Sequence, residues 1–317
     1  MIVTVTLNAA LDRTLTVPNF QAGHRHRASQ GLTLAGGKGI NVARALKRLG
    51  IPVVATGLAG GRSGTRIVEE LTAEAILNDF VRITDESRTS TAVVDPMGSS
   101  FTEINEWGPQ VAPDELEILR DKLRYLSRGA DVVVFAGSLP RGVEVDFYAE
   151  AIRELARANV TTVLDSEGGP LRAGLDAEPT LVAPNQHEAE GLVGQELGDD
   201  EDFLMALDAI AEMGAKNVLL TLVSGAFGFT REERRARRFH VTAPKVETVS
   251  AVGAGDVLLA GFLASRLGGR AFDDALRAAV AAGTAATTEV GAGRFDPREA
   301  GRLAALVEIE ELEPVRS

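Results

Sequence analysis

Residues 252–262 read Val-Gly-Ala-Gly-Asp-Val-Leu-Leu-Ala-Gly-Phe, a run of small residues that opens directly into an apolar helical pattern. The sequence therefore predicts a glycine turn at the start of a buried helix. Free backbone N–H groups and the positive end of the helix dipole converge there, which favours an anion. Asp256, in the first turn, is placed to accept a proton from a hydroxyl beside that anion. Phosphoryl transfer to an alcohol needs these two elements side by side.

A second glycine-rich run lies far upstream, at residues 35–41, and reads Ala-Gly-Gly-Lys-Gly-Ile-Asn. Glycines would let backbone amides approach a substrate closely, and Lys38 supplies positive charge. The run is not a P-loop, because the glycine spacing differs and no Ser or Thr follows the lysine. Taken alone, such a run is also typical of a tight turn.

Length and composition exclude several classes of protein. The 317 residues, 45% of them hydrophobic, can bury one large α/β core or two smaller ones. A net charge of -12 argues against nucleic acid or an anionic membrane as the main partner. Without cysteine there is no disulfide or thiolate nucleophile, which fits a reducing compartment. With no basic leader and no uninterrupted apolar span, the sequence predicts a soluble cytoplasmic protein.

Short β-branched runs alternate with helical patterns, which indicates βαβ crossovers. We expect a doubly wound, mostly parallel sheet with helices on both faces, in a single α/β domain spanning residues 1–317. Two segments, near residues 11–35 and 88–106, instead suggest short strands with no helix between them, typical of a small antiparallel β lid. The predicted strands of the main sheet are residues 2–7, 53–56, 131–136, 161–165 and 218–222.

Polar residues follow several predicted strands, at the edge where doubly wound sheets bind ligands. Asn8 and Asp12 suit paired sugar hydroxyls, although both are also ordinary turn residues. Arg88 is able to reach a substrate phosphate, but an arginine at a strand boundary is commonly just solvated. Asn185 and Glu188 would orient water bound to Mg²⁺, or simply cap a helix.

Residues 57–64 form another glycine-rich run after a strand. This run lacks the G-x-G-x-x-G spacing of a dinucleotide loop. We therefore interpret it as a strand-to-helix turn rather than an NAD site.

Five motifs, taken together, resemble those of the ribokinase-like sugar kinases, and within them the phosphofructokinase B branch that acts on hexose phosphates. They run in family order across nearly the whole chain. The motifs are residues 6–12 (Thr-Leu-Asn-Ala-Ala-Leu-Asp), 36–43 (Gly-Gly-Lys-Gly-Ile-Asn-Val-Ala), 137–142 (Gly-Ser-Leu-Pro-Arg-Gly), 184–188 (Pro-Asn-Gln-His-Glu) and 252–256 (Val-Gly-Ala-Gly-Asp).

The resemblance implies ATP as donor, Mg²⁺ as cofactor and Asp256 as catalytic base, beside a phosphoryl hole formed by Gly253, Ala254 and Gly255. It further implies a monovalent cation such as K⁺ near Ser250 and Val252, and a homodimer formed through the lid. The candidate substrate-binding residues are Asn8, Asp12, Gly36, Gly37, Lys38, Asn41, Arg88 and Ser138, with Lys38 and Arg88 on the substrate phosphate. The candidate nucleotide-binding residues are Asn185, Thr221, Ser224, Gly225, Gly253 and Gly255, and Asn185 and Glu188 would reach the metal through water.

Two departures from the family pattern fall on the donor side. Ala183 stands where relatives usually have Lys, and the loop at residues 221–226 is one residue short. They leave ATP affinity and donor choice open.

We expect fructose 1-phosphate as the substrate, giving fructose 1,6-bisphosphate, with tagatose 6-phosphate and fructose 6-phosphate as alternatives. A noncatalytic sugar-phosphate sensor is the competing hypothesis. The complete glycine turn ending in Asp256 argues against a sensor.

Overall fold

The computed structural model describes residues 1–98, 100–231 and 235–313. Its strands are β1 (Ile2–Thr6), β2 (Ala10–Thr16), β3 (Gln30–Gly36), β4 (Val53–Gly60), β5 (Leu77–Ile83), β6 (Arg88–Asp95), β7 (Ser100–Asn105), β8 (Val132–Ala136), β9 (Thr161–Asp165), β10 (Leu181–Val182), β11 (Asn217–Leu222), β12 (Gly225–Thr230), β13 (Arg237–Thr242) and β14 (Glu308–Leu312). The helices are α1 (Lys38–Arg48), α2 (Gly61–Ala73), α3 (Pro113–Ser127), α4 (Phe147–Arg157), α5 (Gly168–Leu175), α6 (Gln186–Val193), α7 (Asp200–Glu212), α8 (Ala254–Leu267), α9 (Phe272–Ala286) and α10 (Pro297–Ala304).

The main sheet has ten strands in the order β14-β13-β12-β11-β10-β9-β8-β1-β4-β5. The ladders from β5 to β11 are parallel, and β12, β13 and β14 extend the sheet in antiparallel fashion. The predicted doubly wound, mostly parallel sheet is thus confirmed. Because the parallel strands share a direction, their carboxyl ends form one edge.

The five predicted strands of this sheet are present, and four of them match to within one residue at each end. The fifth, β4, runs four residues further than expected, to Gly60. Gly57 continues the ladder because it lies against the neighbouring strand: a Cβ there would sit 1.9 Å from the carbonyl oxygen of Thr6. This glycine serves close strand contact rather than the turn that the sequence suggested.

Helices cover both faces of the main sheet. One apolar cluster contains side chains of α1, α2, α8, α9 and α10, and a second contains side chains of α3 to α7. Glycine allows α8 to approach α9 closely, since a Cβ on Gly261 would lie 2.9 Å from the Cβ of Ala282. Within the described ranges, no helix combines the length and apolar character needed to cross a membrane.

The lid is a four-stranded sheet in the order β3-β2-β6-β7, whose strands lie between residues 10 and 36 and between residues 88 and 105. Its outer ladders, β2 with β3 and β6 with β7, are antiparallel as expected. The central ladder, β2 with β6, is parallel. The reason is topological: β2 follows β1 and β6 follows β5, so both chains leave the main sheet from its carboxyl edge and run in the same direction.

Candidate active site

The glycine turn before α8 has the geometry of an anion hole. Gly253 adopts a φ of 77°, and a Cβ there would lie 2.7 Å from the Cβ of Ala292. The position therefore requires glycine both for its backbone conformation and for lack of space. The N–H groups of Gly253, Gly255 and Asp256 have no backbone acceptor among the described residues. The N–H of Ala254, which the sequence analysis assigned to the same hole, instead donates to the carbonyl of Ala251 at 3.2 Å. Three donors therefore remain for a ligand at the positive end of the helix.

Asp256 lies in the first turn of α8 and is only 7% exposed. Its Oδ2 accepts a hydrogen bond of 2.9 Å from Nδ2 of Asn41 on α1. Burial, reinforced by the nearby charge of Asp165, raises the pKa of Asp256 to about 8. In its ionised form, a carboxylate with this pKa is a stronger proton acceptor than an ordinary aspartate.

The ammonium of Lys38 lies between two carboxylates, 2.6 Å from Oδ1 of Asp165 and 3.0 Å from Oε1 of Glu188. Burial alone would lower the pKa of Lys38, but these two charges raise it above its ordinary value. Burial raises the pKa of Glu188, and the lysine opposes that shift. Lys38 therefore connects the predicted substrate loop to the predicted metal site, where the sequence analysis had paired it with the substrate phosphate alone.

Asp165 is the residue of this cluster that sequence reasoning missed. It is the last residue of β9, at the carboxyl edge of the sheet, directly after an apolar run. That position was the available signal, because ligand groups gather at this edge.

Asn8 and Ser138 lie together at the same edge, where Nδ2 of Asn8 donates to Oγ of Ser138 at 3.2 Å and to the carbonyl of Trp107 at 3.3 Å. The Oδ1 of Asn8 is buried and has no hydrogen-bond partner in the described part of the chain. A buried unpaired acceptor carries a free-energy cost that a ligand hydroxyl would remove. The pair therefore suits a sugar.

Asp12 and Arg88 are neighbours on the lid strands β2 and β6. Burial raises the pKa of Asp12 to about 6, and the charge of Arg88 opposes the shift. Nε of Arg88 donates to the carbonyl of Asn8 at 3.3 Å, and Nη1 donates to Asn105 and Glu106 at the same distance. These contacts are long, so the guanidinium is free to exchange them for a stronger anionic acceptor.

On the donor side, Asn185 and Glu188 form a reciprocal cap at the start of α6. Oδ1 of Asn185 accepts from the N–H of Glu188 at 2.9 Å, and Oε2 of Glu188 accepts from the N–H of Asn185 at 2.8 Å. Thr221 lies beside them, since its N–H donates to the carbonyl of Pro184 at 2.9 Å. The capping interpretation is correct, and it leaves Oε1 of Glu188 directed at Lys38.

The short loop near residue 223 is a two-residue hairpin turn. Leu222 pairs with Gly225, which leaves Val223 and Ser224 between β11 and β12. Gly225 has a φ of 148°, and a Cβ there would lie 1.9 Å from the carbonyl oxygen of Val241. The tight turn is therefore fixed by contact with β13.

The residues present fit Mg²⁺ held through water rather than in a closed protein cage. No group of three or more His, Asp or Glu side chains in the described ranges is arranged to hold a metal. Asp165 and Glu188 nevertheless place two carboxylates around one ammonium, and Mg²⁺ prefers oxygen ligands while keeping several waters.

The glycine run at residues 57–64 is closed to a dinucleotide. Glu86 occupies the start of α2, accepting from the N–H groups of Arg62 at 3.1 Å and Ser63 at 2.5 Å. A Cβ on Gly61 would lie 1.9 Å from Oε2 of Glu86, so the carboxylate fills the turn. The strand-to-helix interpretation agrees with this geometry.

A buried carboxylate, Asp256, lies beside main-chain N–H donors, under a lid at the carboxyl edge of a doubly wound sheet. This arrangement is that of a carbohydrate kinase, which uses ATP. The family model described as pfkB family carbohydrate kinase matches residues 3–299. The chain belongs to this family.

Named relatives cover nearly the full length of the chain. It is 33% identical to a 1-phosphofructokinase of Borreliella burgdorferi, over 90% of this chain and 91% of that protein. It is 32% identical to a 1-phosphofructokinase of Vibrio cholerae, over 99% of this chain and 98% of that protein. Among solved structures, phosphofructokinase-2 from Escherichia coli in complex with potassium aligns with a TM-score of 0.87 and 29% identity, covering 96% of this chain and 98% of that one.

Proposed function

We propose that this chain transfers a phosphoryl group from ATP to fructose 1-phosphate, giving fructose 1,6-bisphosphate. The observation that carries the proposal is the contact between Asp256 and Asn41, because it joins the turn before α8 to the helix that begins at Lys38. The near full-length identity to proteins named 1-phosphofructokinase supports fructose 1-phosphate over tagatose 6-phosphate and fructose 6-phosphate.

The proposed chemistry is direct in-line transfer without a phosphoenzyme. Asp12, Asn41 and Ser138 would hold the sugar hydroxyls, while Arg88 binds the substrate phosphate. As the hydroxyl oxygen bonds to the γ-phosphorus, the bond from that phosphorus to the bridging oxygen of ADP breaks, and ADP leaves with the electron pair of that bond. Ionised Asp256 accepts the hydroxyl proton and keeps it until the product leaves. The N–H groups of Gly253 and Gly255 stabilise the charge on the transferring group. The lid excludes water and so limits hydrolysis of ATP.

On the donor side, Asn185, Thr221, Ser224 and Gly225 would bind the nucleotide. Mg²⁺, held through water by Asp165 and Glu188, would neutralise charge on the nucleotide phosphates. Ala183 removes a cation that relatives usually carry, so Lys38 would supply the positive charge on this side of the site. The proposed reaction consumes ATP, so we place the protein in the cytoplasm.

A monovalent cation is part of the proposal. The relative from Escherichia coli crystallised in complex with potassium. In this chain the segment at residues 249–252 is held by Thr287, whose carbonyl accepts from the N–H groups of Val249 at 2.7 Å and Ser250 at 3.0 Å. We propose that K⁺ binds beside Ser250 and Val252 and firms the turn before α8. Replacing K⁺ with a large organic cation in the assay tests this requirement.

A homodimer through the lid is also proposed. Three apolar side chains at the end of the lid are largely exposed: Phe101 at 55%, Ile104 at 62% and Trp107 at 86%. A second copy would cover this surface and the unpaired edge of β7. Sedimentation velocity of Ile104→Glu tests it, and an unchanged dimer, or a monomeric wild type, would refute the lid interface.

The activity is tested by ADP release with each of the three sugar phosphates, for the wild type and Asp256→Asn. We expect Asp256→Asn to lower kcat by about 10²–10⁴ and to leave binding of the sugar phosphate, measured by calorimetry, largely intact. Asp274→Asn, in the first turn of neighbouring α9, is the matched control. Binding without turnover in the wild type would support the sensor instead, and unchanged kcat in Asp256→Asn would refute the assignment of the base.

A further inference from the structure

Arg44 is a buried cation on α1 that the reaction outlined above does not use. It is 2% exposed and follows Asn41 by three residues on the same helix. A fully buried arginine is rare unless every donor is paired. An arginine in the otherwise apolar run after Asn41 was the signal available in the sequence.

All five N–H groups of the Arg44 guanidinium have an acceptor. Two point to Glu74 on α2: Nε to Oε2 at 2.6 Å and Nη2 to Oε1 at 3.2 Å. Nη2 also donates to the carbonyl of Ala35 at 2.7 Å, and Nη1 to the carbonyl of Ala292 at 3.1 Å. The remaining bond runs from Nη1 to Oδ1 of Asn41, at 3.2 Å. These five hydrogen bonds hold the planar guanidinium in one orientation.

This contact decides which way the amide of Asn41 faces. With Oδ1 on the guanidinium, Nδ2 is turned to Oδ2 of Asp256. The flipped amide would place its oxygen against the carboxylate and its NH₂ against the cation, two repulsive contacts in a buried site. Arg44 therefore favours the one rotamer in which Asn41 donates to Asp256.

The anchors of Arg44 lie on both sides of the cleft. Ala35 directly precedes Gly36 and Gly37, and its N–H is held by Oε2 of Glu70 at 2.6 Å. Ala292 packs behind Gly253. The guanidinium is thus fixed to the substrate loop and to the support of the anion hole, so the amide it orients is fixed relative to both.

We propose that Arg44 is a positioning residue that orients the amide of Asn41 toward Asp256, with Glu74 holding the guanidinium in place. The proposal rests on the proposed role of Asp256 as the base. It predicts that Arg44 affects turnover through Asn41 and not independently of it.

A double-mutant cycle with kinetic readout tests this prediction. Arg44→Lys keeps the positive charge but removes the planar guanidinium. We expect kcat to fall about 10- to 100-fold and KM for ATP to change less than about twofold. In an Asn41→Ala background the same substitution should lower kcat less than about twofold further, because the amide it orients is gone. Arg48→Lys, one turn along α1, is the matched control: Arg48 donates to the carbonyl of Phe295 at 2.8 Å and has no contact with Asn41.

Glu74→Gln is the second variant, in case Arg44→Lys does not fold. It loosens the guanidinium without removing it, and its loss of kcat must also disappear in the Asn41→Ala background. The positioning role is overturned if either substitution lowers kcat in the Asn41→Ala background by the same factor as in the wild type. It is also overturned if neither variant changes kcat. Both outcomes leave the kinase assignment untouched. A wild type without turnover on any sugar phosphate would instead overturn the proposed function.

Discussion

Asp12 occupies the space that a side chain at residue 36 would need. A Cβ on Gly36 would lie 1.9 Å from Oδ2 of Asp12. The carboxylate is thereby held against the start of the second glycine run, next to the N–H of Gly37, whose hydrogen bond offsets part of the rise in pKa that burial causes. Asp12, which we propose binds the sugar, therefore forms one steric unit with the glycines of this run.

Gly36→Ala should raise KM for the sugar phosphate by about tenfold or more, because displacing a positioned group by 1 Å is worth up to about 10² in rate. KM for ATP should change little. Gly31→Ala is the control on the same strand, since its Cβ would meet only Leu15, at an ordinary 3.4 Å. Equal effects of the two substitutions in steady-state kinetics would contradict the proposed role of Asp12.

Gly255→Ala should fold normally and lose activity. A Cβ on Gly255 would meet no atom within 4 Å, and alanine favours a helix over glycine, so Tm should be unchanged or slightly higher. If the phosphoryl group binds in that space, the methyl group should block the anion hole and lower kcat by about 10²–10³, the range for a lost anion-hole donor. Gly301→Ala on α10, equally uncrowded, is the control. Full activity of Gly255→Ala would locate the phosphoryl group elsewhere.

Asp256→Asn should stabilise the protein at high pH. An unfolded aspartate titrates near about 3.9, whereas burial raises the folded pKa of Asp256 to about 8. Between these values the folded state keeps a proton that the unfolded state releases, so the free energy of unfolding falls as pH rises through the window. Asparagine has no such penalty.

Calorimetry at two pH values measures this effect. We expect Tm of Asp256→Asn to exceed that of the wild type by a few degrees at pH 9, with a smaller gap at pH 5. Asp274→Asn, on an exposed helix start, is the control for the loss of one carboxylate at the surface. If the Tm difference between Asp256→Asn and the wild type were smaller at pH 9 than at pH 5, the ionised carboxylate would be stabilised by its neighbours rather than destabilised by burial.

Glu188→Gln should raise the Mg²⁺ concentration needed for half-maximal activity by about 10- to 100-fold. Glutamine preserves the reciprocal cap with Asn185, so α6 should keep its stability, and only the charge facing Lys38 is lost. Glu196→Gln, just beyond α6 and exposed, is the control. An unchanged Mg²⁺ titration would remove Glu188 from the metal site.

The parts of the fold that were predictable depend on local chemistry. Alternating β-branched and helical runs indicated the doubly wound sheet, and the glycines before Asp256 predicted a helix start. The small lid sheet could be anticipated because β2 and β3, and likewise β6 and β7, have no helix between them. The parallel pairing of β2 with β6 was not predictable from pattern, since it follows from where each insertion leaves the main sheet.

The missing parts of the site are pairings between residues distant in sequence. Asp165 matters because it meets Lys38 across 127 positions, and Arg44 because it reaches Ala292 across 248. No local spacing encodes either contact. The raised pKa of Asp256 was missed for the same reason, because burial and the charge of Asp165 arise only in the folded chain.

The carboxylate of Glu86 occupies a second potential anion site, at the start of α2. The start of α2, like the start of α8, has glycines and backbone N–H groups. Such a helix start favours binding of a phosphate group. A free anion would have to displace the carboxylate of Glu86 from these N–H groups. Because Glu86 belongs to the same chain, its effective concentration at the site is high, which favours it over a free anion. The N–H groups of Arg62 and Ser63 are thereby satisfied within the chain, and of the two similar turns only the one before α8 keeps its donors available to a ligand.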